Sequence, residues 1–359
     1  MNSNSINCLF VTGGAGFIGS AVIRELLRST TMLVVNIDSL TYAGNLETLA
    51  NEITHNRYKF SQTDICDREA LRALFTTFRP MGVLHLAAES HVDRSIDSPD
   101  TFLKTNILGT YTLLESVRDY LDTVSPSCLE RFRFHHVSTD EVFGTLGVDG
   151  MFTESSQYQP RSPYAASKAA SDHLVGAWSE TYGIPSIISN CSNNYGPYQY
   201  PEKLIPVVIR KAITAVSIPV YGAGNNVRDW LYVDDHARAL LMLLENGCPG
   251  RTYNVGGGNE KSNLAVVKAI CNVLDRIHPR KDQISYNEQI SFVADRPGHD
   301  FRYAIDSSRI QTELGWRPEE TFASGLEKTV QWYLNNQLWV ETVLDSKYQG
   351  ERLGLGKNP

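Results

Sequence analysis

The sequence has no CxxC pair among its six cysteines and no HExxH among its nine histidines. Cys8, Cys66, Cys128, Cys191, Cys248 and Cys271 are scattered singly, which suits reduced thiols in a cytosolic protein better than a disulfide framework or a zinc site. No bound metal is expected. Long apolar runs are missing too: nothing approaches the roughly 20 residues that a membrane-crossing helix needs. The opening stretch MNSNSINCLFVTGG lacks the basic region followed by an apolar one that directs secretion. The expectation is a soluble, cytoplasmic protein. Nor is there an excess of positive charge. With 33 Lys+Arg against 40 Asp+Glu the formal net charge is -7, which argues against general nucleic-acid binding, because that needs a basic surface to replace phosphate counterions. A small phosphorylated ligand is still compatible.

What is present has the composition of an ordinary folded protein, with 42% hydrophobic and 20% charged residues. At 359 residues the chain suits one large α/β unit with a second lobe. NCLFVTGG is an apolar run ending in small residues, and GFIGSAVIRELLRS places Ile18, Val22 and Leu26 on one helical face. The run TMLVVNIDS follows and ends at Asp38. A helix is predicted over Asp67–Phe78, then the strand MGVLHLAA, a helix over Pro99–Leu121 and the strand RFRFHHVST. Strands alternating with helices predict a parallel, doubly wound sheet. Pro163 is a good first-turn residue for a long helix through YAASKAASDHLVGAWSETYG. Beyond it, loops rich in Pro, Gly and Asn alternate with short apolar segments, as a second lobe interleaved with the first would require.

Gly13, Gly16 and Gly19 form GxxGxxG at the first strand-to-helix turn. Glycines there allow a tight turn and let the backbone approach a pyrophosphate, which then meets the N–H groups of the next helix. Asp38, about 20 residues on, suits a ribose hydroxyl. A carboxylate at that place repels a 2′-phosphate, and SLTYAGN after it offers no arginine to receive one, so NAD is favoured over NADP. Asp64 in TDICD follows another strand and could meet the adenine, although an acid at a strand end is often only a helix cap.

Tyr164 and Lys168 lie four apart at the start of the long helix and so share a face. A nearby ammonium and a positive nicotinamide ring both favour the phenolate, which could then take a hydroxyl proton as hydride leaves. Thr139, at the end of VST, could hold the same hydroxyl. Next to it stand Asp140 and Glu141, two acids where a strand should be ending.

GxxGxxG with YxxxK resembles the extended short-chain dehydrogenase/reductases. HLAAESHVDRSI, STDEV, NCSNNYGPYQYPEKLIP, RDWLYVDDHARAL and DRPGHDFRYAID narrow the resemblance to the dTDP-glucose 4,6-dehydratase family, from about Leu9 to Trp332. That resemblance implies a Rossmann-type NAD-binding domain over 1–190 with a segment of about 229–255 returning to it. It implies a smaller nucleotide-sugar-binding domain over 191–228 and 256–345, and a tail over 346–359. It also implies a homodimer built on the YxxxK helix and the helix near Asn106.

The implied reaction is oxidation of C4 of dTDP-glucose by bound NAD, loss of water across C5 and C6, and return of the hydride to C6. The product feeds deoxysugar biosynthesis, rhamnose among the possibilities. Oxidation at C4 acidifies the C5 hydrogen, and the C6 hydroxyl leaves only if protonated, so one carboxyl must be an acid and the other a base. By the family's pattern Asp140 is the acid, Glu141 the base, and Thr139, Tyr164 and Lys168 serve the oxidation. Cofactor contacts are implied at Phe17 and Ile18, at Ser39, Leu40 and Thr41, and at Asp64 and Ile65. More are implied at Leu86, Ala87, Ala88 and Ser90, and at Thr105 and Asn194. On the substrate side it implies Ser90, Thr139, Asn193, Lys203 and Leu204. Lys203, Arg228 and Arg296, with Asn193, Asn263 and His299, would surround the diphosphate, ribose or base, and Pro219 to Tyr221 would flank the base. Two features depart from the pattern: Phe143 stands where tyrosine is usual, and TLGVDGMFTESS is short for a lid. Other nucleotide sugars, or a 4-epimerase sharing Tyr164 and Lys168, are the alternatives; an epimerase would leave Asp140 and Glu141 unexplained.

Overall fold

In the computed structural model, which describes residues 7–295 and 299–347, the early apolar runs are strands of one sheet. In chain order the strands of the molecule are β1 (Cys8–Thr12), β2 (Leu33–Asp38), β3 (Tyr58–Gln62), β4 (Gly82–His85), β5 (Arg133–Thr139) and β6 (Ser186–Cys191). They continue with β7 (Asn193–Tyr195), β8 (Ile218–Tyr221), β9 (Val227–Tyr232), β10 (Thr252–Val255), β11 (Glu260–Ser262) and β12 (Ile290–Val293). Seven of them form a sheet in the order β10-β6-β5-β4-β1-β2-β3, parallel throughout. This is the doubly wound α/β fold expected. β1 and β4 are buried at every position, as parallel strands covered on both faces must be.

Alternation along β1 divides the core. Leu9 and Val11 pack with Val22 and Leu26 of the Phe17–Ser29 helix and with Leu240 of the Val233–Asn246 helix. Cys8 and Phe10 face the other way, toward Leu71, Phe75, Leu113 and Val175 from three further helices. Strand order reverses between β1 and β4, so the carboxyl edge there opens the crevice where such folds hold ligands.

Two helices matter most for that crevice. The Pro163–Tyr182 helix starts where Ser162 accepts the Ala165 N–H, has Pro163 in its first turn, and ends at Gly183 in the left-handed region. The run expected as one helix over Pro99–Leu121 is helical throughout but not uniform: Leu103–Gly109 is a π-helical turn between Pro99–Phe102 and Thr110–Leu121. Buried Asn106 in that turn ties the Glu89 backbone to Ser167 of the YxxxK helix. Periodicity alone cannot show a bulge that side-chain bonds of this kind hold open.

After β6 the chain builds a second set of small sheets, β11-β9-β7 and β12-β8, around a core that includes Val208, Trp230, Ile270, Leu326 and Val330. It returns to the main sheet for the Val233–Asn246 helix and β10, then leaves again. The last described helix, Gln337–Lys347, runs two residues into the expected tail; 348–359 lie outside the described residues. All six cysteines are free, and among the described residues no helix is long and apolar enough to cross a membrane.

Burying histidine in the sheet ties stability to pH. His135 on β5 is fully buried with Nε2 2.9 Å from Ser189 Oγ, and burial pushes its pKa down to about 3. The folded ring stays neutral while the unfolded one gains a proton below about pH 6.5, so this stabilisation is present above that pH and is lost as pH falls toward 3. In urea unfolding at pH 7.5 and 5.5, the parent should lose about 1.4 kcal/mol more on acidification than His135→Gln. Equal losses in the two proteins would mean that His135 is charged in the fold.

Candidate active site

The glycine turn is built by exclusion. Gly13 has φ +70°, and a Cβ there would lie 2.6 Å from the Ala87 backbone nitrogen. A Cβ at Gly19 would lie 2.1 Å from Gly13 O, so the helix can rest on the turn only without side chains. Gly16 precedes the Phe17–Ser29 helix and places no side chain over its first N–H groups, leaving the positive helix end facing the crevice. Asp38, at the end of β2, accepts the Ala15 N–H at 2.9 Å and the Leu40 N–H at 2.8 Å. Burial raises its pKa. Each carboxylate oxygen retains a second lone pair for a ribose hydroxyl. A cradle that any Cβ would fill, an open helix end and a carboxylate beside them fit a dinucleotide.

These groups line one cleft of about 320 Å³. Every residue expected to meet the cofactor is on its wall except Leu40, whose left-handed backbone, φ +55°, carries its N–H to Asp38. Thr139, Asp140, Glu141, Tyr164 and Lys168 share that wall with Ser90, Asn193 and Lys203.

At the reacting end, β5 stops at Thr139. The next four residues, Asp140–Phe143, form a 3-10 turn that Thr139 caps by accepting the Glu141 N–H at 3.3 Å. Asn190 holds the Thr139 carbonyl at 3.1 Å. Phe143 ends the turn between the rings of Phe152 and Tyr158, each 5.2 Å away, so its position needs an aromatic face and no hydroxyl.

Asp140 is 2% exposed. Burial first, and then the charge of Glu141, raise its pKa well above the ordinary carboxylate value, which favours the protonated, acid form. Lys168 is buried and donates to Val137 O at 2.9 Å; burial lowers its pKa. Tyr164 is buried against Phe102, and burial with the Glu141 charge raises its pKa. The favoured phenolate expected from the sequence therefore needs more positive charge than the protein alone gives.

Apart from Asn193 and Lys203, the described residues expected at the base and diphosphate lie off this wall. Pro219 and Tyr221 are on β8, Asn263 begins a helix, and Leu204 follows Lys203 into another. His299 Nδ1 is 2.7 Å from Asp295 Oδ1. Arg228 on β9 stacks over Tyr303, donates to the Asp300 carbonyl, and is close enough to lower the pKa of Asp140. Arg296 lies outside the described residues.

The cleft also uses Tyr42, Ser138, Tyr200, Glu202, Trp339 and Val343, which sequence reasoning missed. Tyr42 in TYAGN and Glu202 in PEKLIP stood inside stretches already read. Trp339 and Val343 carried no signal, because only tertiary packing brings their helix to Tyr42 and Tyr200.

A family model described as GDP-mannose 4,6 dehydratase matches residues 10–329. A dTDP-glucose 4,6-dehydratase of Neisseria meningitidis serogroup B is 57% identical over 352 residues, 97% of this chain and 99% of its own. Among solved structures, the dTDP-glucose 4,6-dehydratase of Streptomyces venezuelae with NAD bound superposes with TM-score 0.85 at 42% identity, covering 94% of this chain and 99% of its own. The UDP-glucose 4-epimerase of Thermotoga maritima gives TM-score 0.81 at 27% identity, covering 92% and 99%.

If the glycine turn carries a dinucleotide, Gly13→Val should weaken NAD binding about tenfold or more, since it combines backbone strain with a filled cradle. Calorimetric titration of NAD into stripped protein measures this, with circular dichroism to verify the fold. Unchanged affinity in a folded variant would remove the turn from the cofactor site.

Proposed function

The chain belongs to the GDP-mannose 4,6 dehydratase family and, at 57% identity over nearly its whole length, to its dTDP-glucose 4,6-dehydratases; from that premise we propose that it converts dTDP-glucose to dTDP-4-dehydro-6-deoxy-glucose with NAD. The observation that carries this reading is Asp140, a buried carboxyl pushed toward its protonated form and set beside Glu141 on a turn that opens into the same cleft as Tyr164. A 4-epimerase has no use for such a pair.

Tyr164, with Lys168 near it, takes the C4 hydroxyl proton while the Thr139 hydroxyl orients that oxygen. Bound NAD would supply the acceptor for the C4 hydride, the hydride returned to C6 and a positive charge beside Tyr164. The C4 ketone acidifies C5–H, and Glu141 removes that proton. Asp140 gives its proton to the C6 oxygen, which leaves as water. Glu141 then returns a proton to C5 as C6 becomes a methyl group. Proton transfer by a positioned carboxyl is worth about 10²–10⁴ in rate.

The segments 1–190 and about 229–255 hold the cofactor in this reading, and 191–228 with 256–345 hold the nucleotide. Lys203 and Asn193 reach the sugar and diphosphate from the cleft wall. Arg228, Asn263 and His299 take the diphosphate and ribose from the second lobe, with Pro219 and Tyr221 at the base. A cytoplasmic homodimer is the proposed form. Leu103, Leu108, Tyr111 and Tyr182 are exposed apolar side chains on the Asn106 and YxxxK helices, which suits a bundle with a second copy. The product is a starting point for deoxysugars such as rhamnose.

Incubation with dTDP-glucose should give a 4-keto product visible in alkali, and neither GDP-mannose nor UDP-glucose should replace it. Asp140→Asn and Glu141→Gln should still reduce the cofactor, seen at 340 nm, while product formation falls about 10²–10⁴-fold. A dTDP-galactose epimer without ketosugar would contradict the proposal.

A further inference from the structure

One turn beyond Lys168 on the same helix, Asp172 is 3% exposed and is not itself on the cleft wall described above. Its Oδ2 accepts from Ser138 Oγ at 2.7 Å and from Tyr158 OH at 3.0 Å. Its Oδ1 is 3.1 Å from His136 Nε2, and that nitrogen is 3.4 Å from Lys168 Nζ. A single imidazole nitrogen thus stands between a buried ammonium and a buried carboxyl.

His136 is neutral, because burial and the neighbouring Lys168 hold its pKa well below the usual value. A neutral ring carries one proton. Besides Asp172 Oδ1 and Lys168 Nζ, Nε2 is 3.2 Å from Ser171 Oγ, and Lys168 donates its own proton to Val137 O. The Asp172 carboxylate is held by the Ser138 and Tyr158 hydroxyls, and only the neutral ring separates it from the Lys168 ammonium in a dry interior, where charges act on each other strongly. The charges at the two ends of the bridge are therefore linked.

We infer that Asp172 is a positioning residue: acting across His136, its carboxylate is the buried counter-charge that keeps Lys168 an ammonium beside Tyr164. The inference rests on the roles proposed above for Tyr164 and Lys168. Among the groups facing the bridge, His173 shares its helix with Tyr164, and His85 lies under His136 with ring centres 5.1 Å apart. His135 is behind it on β5. Burial pushes Asp140 toward its protonated form, and Cys191 on β6 is a thiol pushed up to about 12. Glu141 bears on Tyr164. Asp172 is the charge that most strongly favours the Lys168 ammonium. Its own pKa is pushed up to about 6 by burial, so it is an anion at neutral pH and loses its charge below that. Ser138 adds a geometric link, since the residue that anchors Asp172 immediately precedes Thr139.

The test is a titration of NAD-loaded full-length protein labelled with [6-¹³C]lysine, the Lys168 signal being assigned by its loss in Lys168→Met. Asp172→Asn keeps the shape and an oxygen for Ser138 and Tyr158 but removes the charge. Lys168 should then titrate about one pH unit or more lower than in the parent. The acid limb of the rate of cofactor reduction should move up by a similar amount. An unmoved Lys168 titration, or a rate lowered equally at every pH, would overturn the inference. Should Asp172→Asn not fold, Tyr158→Phe carries the test. It removes one bond from Asp172, so the Asp172 protonation step sensed at Lys168 must rise, and an unchanged step overturns the inference. A parent that titrates as described yet does not turn over dTDP-glucose would instead count against the proposed function.

Discussion

A strand alternates its side chains between two faces, so neighbouring residues cannot both reach one ligand until the strand stops. Here it stops at Thr139, and the hydroxyl of that residue closes the turn that follows. Three consecutive side chains then meet one cleft from the carboxyl edge of the sheet. The supports around the turn all hold this stop in place: Asn190 on the Thr139 carbonyl, Ser138 on Asp172, and Phe143 between Phe152 and Tyr158. Without the stop, Asp140 or Glu141 would point into the core or away from the ligand.

The second constraint is dryness. His85, His136, Asp140, Tyr164, Lys168 and Asp172 are all buried, and burial is the largest influence on each, pushing every one toward its neutral form. That suits an acid such as Asp140. For a base such as Tyr164 it is a cost, offset by placing positive charge close by. In the proposed reaction one physical effect therefore favours one of two neighbouring groups and opposes the other.

Much of this was legible in the sequence because it depends on local chemistry. Glycine spacing, the four-residue step from Tyr164 to Lys168 and the apolar runs each have one common structural outcome, and the cleft brings all of them together. The requirement that β5 end by Thr139 followed from alternation once the resemblance gave Asp140 and Glu141 roles at one sugar. What stayed hidden depends on contacts between distant segments. The π-helical turn at Leu103–Gly109 is held by Asn106 bonding across to Glu89 and Ser167, and Trp339 reaches the cleft only through packing on Tyr42 and Tyr200. Asp172 carried no signal of its own in the sequence, because only the fold places His136 beside it.

The central claim is that one chain removes a hydride from C4 and delivers it to C6 of the same sugar around an acid–base elimination. Deuterium at C4 of dTDP-glucose tests it most directly, with the product analysed by NMR and mass spectrometry. The account predicts deuterium in the C6 methyl group, with solvent hydrogen at C5 and no C4 hydrogen left. Deuterium retained at C4 of a dTDP-hexose would contradict it and turn the chain into an epimerase.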